Sequence, residues 1–335
     1  MSGAPAQPDA VLTGLAETLA ALRPEVEAAG ISVPGSPRAP RPVTLGRDGS
    51  AGPVPLGEED GEAGGAGAAG PVLGGPVPLI AVATTASSEA EAMRQAFVAS
   101  ALGADLVEVR ADLIEPDSTV TTGGQAAAWA SPALATARLI AAEGHTTPVL
   151  LTVRTSAEGG GADVDDATYR RALLTTLRYL GQARATGRFE AVRAIDVEIA
   201  RGCLGEAVEV AHEVGLAVVG SAHFFTSTPS QEEIVAILRR MEKEGADVAK
   251  IAVVPRDGQV GHDDVVTLLR ATAQARAELE VPVITMSMGE GGVPTRLLGG
   301  VFGSALTFAT ASGGASAPGQ MPIELVRAAL ELLRV

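Results

Sequence analysis

Eight short β-rich runs alternate with longer helical segments from Pro78 to the end of the chain. In the helical segments, such as 87–102, 169–184 and 231–244, apolar residues recur three and four positions apart, which indicates amphipathic helices. The β-rich runs read LIAVATT, DLVEVRAD, VLLTVRT, AIDVEIA, AVVGSAH, VAKIAVVP, PVITMSMG and ALTFATA. Eight βα units in about 250 residues predict an α/β fold of the (β/α)8 TIM barrel type.

A doubly wound open sheet is the alternative fold. It usually has fewer strands, and a glycine-rich phosphate turn follows its first strand. Here the first predicted strand runs into VATTASSEAEA, which contains no glycine. The sequence therefore favours the barrel, in which chemistry takes place at the C-terminal ends of the strands.

The first 76 residues differ from the rest of the chain. They contain GSPRAPRP and GEEDGEAGGAGAAGPVLGGP, segments too poor in large apolar residues to order themselves. We expect 1–76 to be a largely flexible extension and 77–335 to be the barrel domain. Within the extension, leucines at helical spacing between 10 and 29 predict one short amphipathic helix. We expect it to dock on its own domain, with docking on a partner as the alternative.

Charge and cysteine content restrict the class of protein. The net charge is −15, from 25 basic and 40 acidic residues, so nucleic acid and anionic membrane surfaces are not expected partners. The single cysteine, Cys203, excludes an internal disulfide and a cysteine-based metal cluster, which fits a reducing cytoplasm. Since no signal peptide and no apolar run of about 18 residues is present, we expect a soluble cytoplasmic protein.

Lys250 interrupts the β-branched run ADVAKIAVVP, which is typical of a strand buried on both faces. A buried ammonium group costs several kcal/mol unless it is paired, reaches water or loses its proton. If Asp196 or Glu198 pairs with it, the lysine has a structural role. If it is neutral, its amine can form a Schiff base with a ketone, and His223, which ends the preceding predicted strand, is suited to move the proton that the imine acidifies.

Other polar residues follow the ends of the remaining predicted strands. They are Glu108, Arg110, Asp112, Arg154, Glu158, Arg296, Ser316 and Gln320. The first three occupy alternate positions and are expected to share one face. Structural interpretations remain open: Glu108 and Arg110 as a neutralising pair, the arginines as salt-bridge partners, and GASAPGQ as a tight turn. Asp196 and Glu198 are interpreted as partners for cations in the barrel, without a direct chemical role.

A lysine, a histidine, a carboxylate and several arginines at one barrel mouth suggest imine chemistry on a small carboxylated ketone. Residue types alone leave an aldolase, a dehydratase and a decarboxylase open. Seven segments, in order, then resemble the type I 3-dehydroquinate dehydratases of the shikimate pathway over 78–334. They are GADLVEVRAD, TVRTSAEGG, IDVEIA, SAHFFTSTPS, GADVAKIAVVP, TMSMGEGGVPTRLLGGVFGSALTF and ASAPGQMP.

The resemblance implies a role for each matching residue. Lys250 would form the imine with the ketone of 3-dehydroquinate, and His223 would remove the C2 proton and then help the C1 hydroxyl leave. Glu158 would orient and tune His223, and Arg296 would bind the substrate carboxylate. The remaining residues would hold the ring hydroxyls or close over the substrate: Glu108, Arg110, Arg154, Ser316 and Gln320. The resemblance further implies 3-dehydroshikimate as product, no metal or organic cofactor, and a homodimer.

Three departures from the family pattern stand out. Phe224 follows the histidine where Asp or Asn is common, and Thr295 replaces the serine that usually precedes the arginine. The long N-terminal segment exceeds the family's short lead-in. Within it, PVTLG at 42–46 resembles the first strand of the hairpin that covers the barrel floor, so the Gly/Ala stretch would be an insertion in that hairpin.

Two rival functions remain. A class I aldolase also uses a lysine on the sixth strand, but would bring a phosphate site near the last two strands, which GSALTFATASGG could mimic. A binding or scaffolding barrel without activity, with the acidic N-terminal segment as its working part, is supported only by Phe224 beside the histidine.

Overall fold

The computed structural model describes residues 42–45, 51–53, 71–75, 77–115, 124–186, 191–256, 258–311 and 314–333. The helix predicted at 10–29 lies outside these ranges. All of the described residues belong to one compact unit.

Three short strands open the described chain. They are β1 (Val43–Leu45), β2 (Ala51–Pro53) and β3 (Val72–Leu73), which form an antiparallel sheet in the order β2-β1-β3. The side chains of Val43 and Leu73 are buried and join the apolar cluster inside the barrel. Because β3 ends just before the first barrel strand begins, this floor sheet lies at the end of the barrel where the strands start. Part of the predicted extension thus packs on the barrel.

All eight predicted barrel strands are present. They are β4 (Leu79–Ala83), β5 (Leu106–Arg110), β6 (Val149–Thr152), β7 (Val192–Glu198), β8 (Ala217–His223), β9 (Val248–Val253), β10 (Val283–Ser287) and β11 (Leu306–Thr310). From β4 to β10 each strand pairs in parallel with the next, and β11 pairs in parallel with β4. Between β10 and β11 the sheet closes through a bridge of Val283 with Ser304, where the Ala305 amide donates to the Val283 carbonyl at 2.8 Å. The predicted (β/α)8 barrel is confirmed.

Helices surround the sheet. They are α1 (Glu89–Ala101), α2 (Gly124–Ala142), α3 (Asp166–Arg184), α4 (Leu204–Glu213), α5 (Gln231–Lys243), α6 (Gly258–Glu278), α7 (Val293–Leu298) and α8 (Ile323–Leu332). Their starts follow local chemistry: Ser88 and Asp165 accept amide hydrogen bonds as N-caps, and Ser230 forms a capping box with Glu233. None of the described helices is long and apolar enough to cross a membrane.

The inward-facing side chains of the barrel fall into two layers. Near the strand starts they are apolar, as at Leu106, Leu150 and Val248. Two residues further along the same strands, Glu108, Thr152 and Lys250 are buried and polar. Since side chains alternate along a strand, this two-residue step keeps both layers inside the barrel. The sequence thus places an apolar plug at one end and charged groups at the other.

At the C-terminal end, β10 and β11 separate and the last loop fills the gap. Strand β12 (Met321–Pro322) pairs with β11, while the Gly289 amide donates to the Pro318 carbonyl at 3.1 Å. Gly319 has a φ of +82°, and a Cβ at this position would lie 2.4 Å from the Gly289 carbonyl oxygen. Only glycine therefore lets this loop approach the end of β10 so closely.

Leu73→Ala tests whether the floor sheet packs into the barrel. Leu73 is buried, so the substitution should lower the free energy of unfolding by about 2–5 kcal/mol through lost burial and a cavity. The control, Leu325→Ala, removes the same atoms from a leucine that is 51% exposed and should change it by less than about 0.5 kcal/mol. Denaturant unfolding measures both. Equal stability of the two variants would contradict this packing.

Candidate active site

A cavity of about 200 Å³ opens at the C-terminal ends of the strands. It is lined by eight of the nine residues predicted for the site: Glu108, Arg110, Arg154, Glu158, His223, Lys250, Ser316 and Gln320. The ninth, Arg296, lies behind the last loop. Phe225, Met286, Met288 and Phe308, which the sequence did not single out, also line the cavity. The barrel therefore brings together residues that are up to 212 positions apart in sequence.

Lys250 lies on the cavity wall and is only 4% exposed. Its Nζ donates to Asp196 Oδ2 at 2.9 Å, lies 3.9 Å from Glu108 Oε1, and is 5.1 Å from the centre of the Phe308 ring. The pairing with Asp196 is the one that the sequence predicted for a structural role of this lysine. Its position at the cavity also leaves the amine within reach of a bound molecule.

Asp196 is shared between two cations. Its Oδ1 accepts from Arg154 Nη2 at 2.9 Å and from Ser221 Oγ at 2.5 Å, while Oδ2 accepts from Lys250. Burial alone would raise the pKa of this carboxyl, yet Arg154 and Lys250 hold the pKa well below its usual range. Asp196 is therefore an anion throughout the neutral range, as expected for a partner of barrel cations.

His223 contacts Glu198. Its Nδ1 lies 2.8 Å from Glu198 Oε2, which also accepts from Arg154 Nη1 at 2.6 Å. Burial, with the charges of Arg154 and Lys250, lowers the pKa of His223 well below 6.5. Burial also raises the pKa of Glu198 to about 8, supported by the nearby Asp196 and Glu158 and opposed by Arg154. The imidazole is thus neutral near pH 7, and its partner carboxyl is poised to hold a proton.

The resemblance assigned the orientation of His223 to Glu158, and the structure differs. Among the described contacts, Glu158 Oε1 accepts from Arg201 Nη2 at 2.8 Å and its Oε2 accepts from the Thr155 hydroxyl. Glu198 reaches the histidine because it lies on the neighbouring strand, where Glu198 pairs in register with Ser221, two residues before His223. In the sequence, Asp196 and Glu198 occupy alternate positions of one predicted strand. That pattern indicated only that the two carboxylates pair with cations in the barrel, and not that Glu198 contacts His223.

Arg110 does not pair with Glu108, the partner that the sequence suggested. Its guanidinium forms two hydrogen bonds to Asp112, at 2.8 and 2.6 Å, while Glu108 accepts from Thr152 Oγ1 at 2.7 Å. Asp112 does not share the cavity face, because β5 ends at Arg110 and Asp112 lies in the following 3-10 turn. There it also accepts from the Gly161 amide at 3.0 Å. Asp112 thus fixes the Arg110 side chain at the cavity rim.

Arg296 is a buried cation without a carboxylate partner in the described part of the chain. It is 2% exposed, and its Nη2 donates to the Pro318 carbonyl at 3.1 Å. Its Nε and Nη1 have no partner among the described residues, and burial lowers its pKa to about 10. An unpaired buried guanidinium is costly, which marks Arg296 as a site for an anion.

The loop that carries Ser316 and Gln320 and the loop that follows His223 form the rim of the cavity. Ser316 and Gln320 bond each other, with the Ser316 amide donating to Gln320 Oε1 and Gln320 Nε2 donating to Ser316 Oγ, both at 2.9 Å. Phe225 stacks on His223 with ring centres 6.2 Å apart. Phe224, the departure from the family pattern, packs instead against the outer apolar cluster. Its side chain does not line the cavity, so it leaves the His223 side chain accessible from the cavity.

The fold and the cavity together define a (β/α)8-barrel enzyme with a buried lysine and a neutral histidine at its centre. Within the described part of the chain, no group of three His, Cys, Asp or Glu side chains is placed to hold a metal ion. Residues 80–335 match the model of the type I 3-dehydroquinase family. The chain belongs to that family.

Individual relatives agree with this assignment. The 3-dehydroquinate dehydratase of Aromatoleum aromaticum is 37% identical over 268 residues, which is 78% of this chain and 93% of that protein. The crystal structure of the Geobacillus kaustophilus 3-dehydroquinate dehydratase matches with 35% identity and a TM-score of 0.66, covering 78% and 93% of the two chains. The type I enzyme of Clostridium difficile, determined with covalent modified comenic acid, matches at 32% identity and a TM-score of 0.67, covering 78% and 95%.

Asp196→Asn tests the shared carboxylate. It removes the charge that Lys250 and Arg154 share and leaves Lys250 with only the more distant Glu108, at 3.9 Å, so the free energy of unfolding should fall by about 3–5 kcal/mol. In the control, Glu206→Gln removes the carboxylate from the exposed pair with Arg170, and no measurable loss of stability is expected. Denaturant unfolding compares the variants. If Asp196→Asn is as stable as Glu206→Gln, the buried network does not depend on Asp196.

Proposed function

We propose that this protein dehydrates 3-dehydroquinate to 3-dehydroshikimate and water through an imine on Lys250. The observation that carries the proposal is a buried lysine amine on the wall of a small cavity, beside a neutral histidine on the neighbouring strand. The relatives named 3-dehydroquinate dehydratase support the substrate, and the unpaired Arg296 supports a ligand with a carboxylate. The family resemblance extends the proposal to a cytoplasmic homodimer of the shikimate pathway.

The first step forms the imine. The Lys250 amine, after losing a proton, attacks the substrate ketone, and the carbonyl oxygen leaves as water. The resulting protonated imine carries the same single positive charge as the original ammonium group. Asp196, at 2.9 Å from the nitrogen, can therefore pair with both forms and keep the charge in a buried site.

The second step moves the proton. The iminium draws electrons from the adjacent carbon and acidifies its C2–H bond. With Glu198 ionised, the Nδ1–H of His223 donates to Glu198, so Nε2 is free to take the C2 proton. The enamine then expels the C1 hydroxyl, to which His223 returns the proton, and water hydrolyses the product imine to regenerate Lys250.

The remaining residues bind the substrate in this proposal. Arg296 offers Nε and Nη1 to the carboxylate, with the loop that carries Ser316 and Gln320 moving around it, since Pro318 now occupies its Nη2. Glu108, Arg110 and Arg154 line the cavity and face the ring hydroxyls. Glu158 lines the same cavity, where its charge acts on Glu198 and through it on His223.

Borohydride trapping tests the imine. The chain contains two lysines, Lys250 and the exposed Lys243, so the site of an adduct is easily assigned. Incubation with 3-dehydroquinate and borohydride should add mass to Lys250 and block trypsin cleavage there. Lys250→Met should abolish both the adduct and turnover, whereas the matched variant Lys243→Met should behave as the wild-type protein.

Three results would contradict the proposal: normal turnover by Lys250→Met, an adduct confined to Lys243, or no turnover of 3-dehydroquinate by the folded wild-type protein. Cleavage of a phosphorylated aldol substrate would instead indicate an aldolase.

The pH dependence tests the His223–Glu198 pair. The base form requires an ionised Glu198, whose pKa is raised to about 8, so kcat/KM should increase as the pH rises through that value. Glu198→Gln removes this ionisation. The rising limb should then move to lower pH, toward the lowered pKa of His223, while kcat falls because the imidazolium loses its counter-ion. In the control variant Glu206→Gln the profile should not move. An unchanged limb in Glu198→Gln would exclude this pair as the group that titrates.

A further inference from the structure

Glu158 is a buried carboxylate on the cavity wall, and both of its oxygens are occupied. It is 5% exposed, Oε1 accepts from Arg201 Nη2 at 2.8 Å, and Oε2 accepts from the Thr155 hydroxyl. A hydroxyl stabilises a buried carboxylate far less than a guanidinium does. Among the described contacts, Arg201 is therefore the charged partner that holds Glu158 in place.

Arg201 comes from a turn that also serves the histidine. The 3-10 helix Ile199–Arg201 follows β7 directly, so Arg201 lies three positions after Glu198, the partner of His223. Gly202, with a φ of +68°, ends the turn and directs the chain into α4. One short segment of backbone thus carries the partners of both His223 and Glu158, which sets the positions of these two groups together.

The Arg201 guanidinium spans two structural elements besides its own. Its Nη2 binds Glu158, in the 3-10 turn Ser156–Glu158, and its Nη1 binds Asp166 in the first turn of α3 at 2.5 Å. The Arg201 side chain is 17% exposed, while that of Asp166 is 63% exposed. Arg201 therefore makes one buried ion pair, with Glu158, and one exposed ion pair, with Asp166. Substitution of either carboxylate would remove one pair and leave the other.

Loss of the buried Arg201–Glu158 ion pair would alter the charge next to the His223–Glu198 pair. Besides Arg201, the charged groups near Glu158 and the pair are Arg110, Arg154, Asp196, Glu198 and Lys250. Arg154 is already bound to Asp196 and Glu198, and Arg110 to Asp112, so neither is available to replace Arg201. Without Arg201, Glu158 would lose the charged partner that fixes its side chain among the described residues.

From this geometry we infer that Arg201 is a positioning residue for the proposed dehydration: it holds the Glu158 carboxylate fixed beside the His223–Glu198 pair. Arg201 does not line the cavity and touches no substrate atom in this scheme. Its effect reaches the C2 proton transfer through Glu158, while imine formation at Lys250 proceeds without it. The inference rests on the proposed function, since it assigns a step of that reaction.

The test compares four variants of the full chain. Arg201→Gln removes both ion pairs, Arg201→Lys keeps a cation, and Asp166→Asn removes the charge of only the exposed pair. Arg170→Gln removes an arginine from the exposed ion pair with Glu206, which joins α3 and α4. For each variant, kcat and KM for 3-dehydroquinate, the yield of the borohydride adduct on Lys250, and Tm are measured. Wild-type trapping in the same experiment tests the proposed function separately from the inference.

The expected result is a loss of kcat by about 10²-fold in Arg201→Gln, the scale of a misplaced catalytic group, with KM changed little. The adduct on Lys250 should still form, because the step before proton transfer is intact. Arg201→Lys should recover part of the lost kcat, and Asp166→Asn and Arg170→Gln should retain the wild-type kcat.

Several outcomes would overturn the inference. They are an unchanged kcat in Arg201→Gln, an equal loss of kcat in Asp166→Asn, or loss of the Lys250 adduct together with kcat. The first would show that Glu158 needs no partner, the second that Arg201 only braces α3, and the third that it acts on imine formation. If Arg201→Gln does not fold, Arg201→Lys decides: a lower kcat with a normal adduct and Tm supports the inference, and a wild-type kcat overturns it.

Discussion

The carboxylate of Asp196, buried between Lys250 and Arg154, is the interaction on which the rest of the site depends. Each of these charges would cost several kcal/mol if buried alone, so the three are stable in the barrel only as a set. Asp196 uses one oxygen for Lys250 and the other for Arg154 and Ser221, which fixes the directions of these side chains. Arg154 then extends the set to Glu198 and, through it, to His223.

One cation at this site lacks a carboxylate partner within the described ranges, which distinguishes the network from a purely structural one. Lys250, Arg154, Arg110 and Arg201 all have carboxylate partners, whereas Arg296 has none among the described residues. A network that served stability alone would leave no guanidinium group unpaired beneath a cavity. In our account, the substrate carboxylate supplies the missing anion, so binding completes a charge arrangement that folding has already built.

The fold could be predicted from the sequence because each strand of a parallel barrel is a short apolar run, and the helical spacing between runs is equally regular. The rule that barrel chemistry lies at the C-terminal strand ends then selected Glu108, Arg154, His223 and Lys250, all of which line the cavity. These positions depend only on where strands end and on the alternation of side chains.

Contacts between side chains of different strands were harder to predict. Glu198 and Glu158 are both carboxylates near the ends of strands, and only the register of β7 with β8 decides that Glu198 reaches His223. Asp112 does not share the cavity face, because β5 ends at Arg110 and the predicted alternation of side chains stops two residues before Asp112. The two-residue strand β12 and the sheet formed by β1 to β3 are too short for any periodicity to reveal.

A crystal structure of the borohydride-reduced complex with 3-dehydroquinate would test the central claim most directly. Our account predicts a new bond at Lys250 Nζ, Asp196 still within hydrogen-bond distance of that nitrogen, and the ligand carboxylate bound to Nε and Nη1 of Arg296. An adduct whose carboxylate lies away from Arg296, or whose nitrogen has separated from Asp196, would contradict the account.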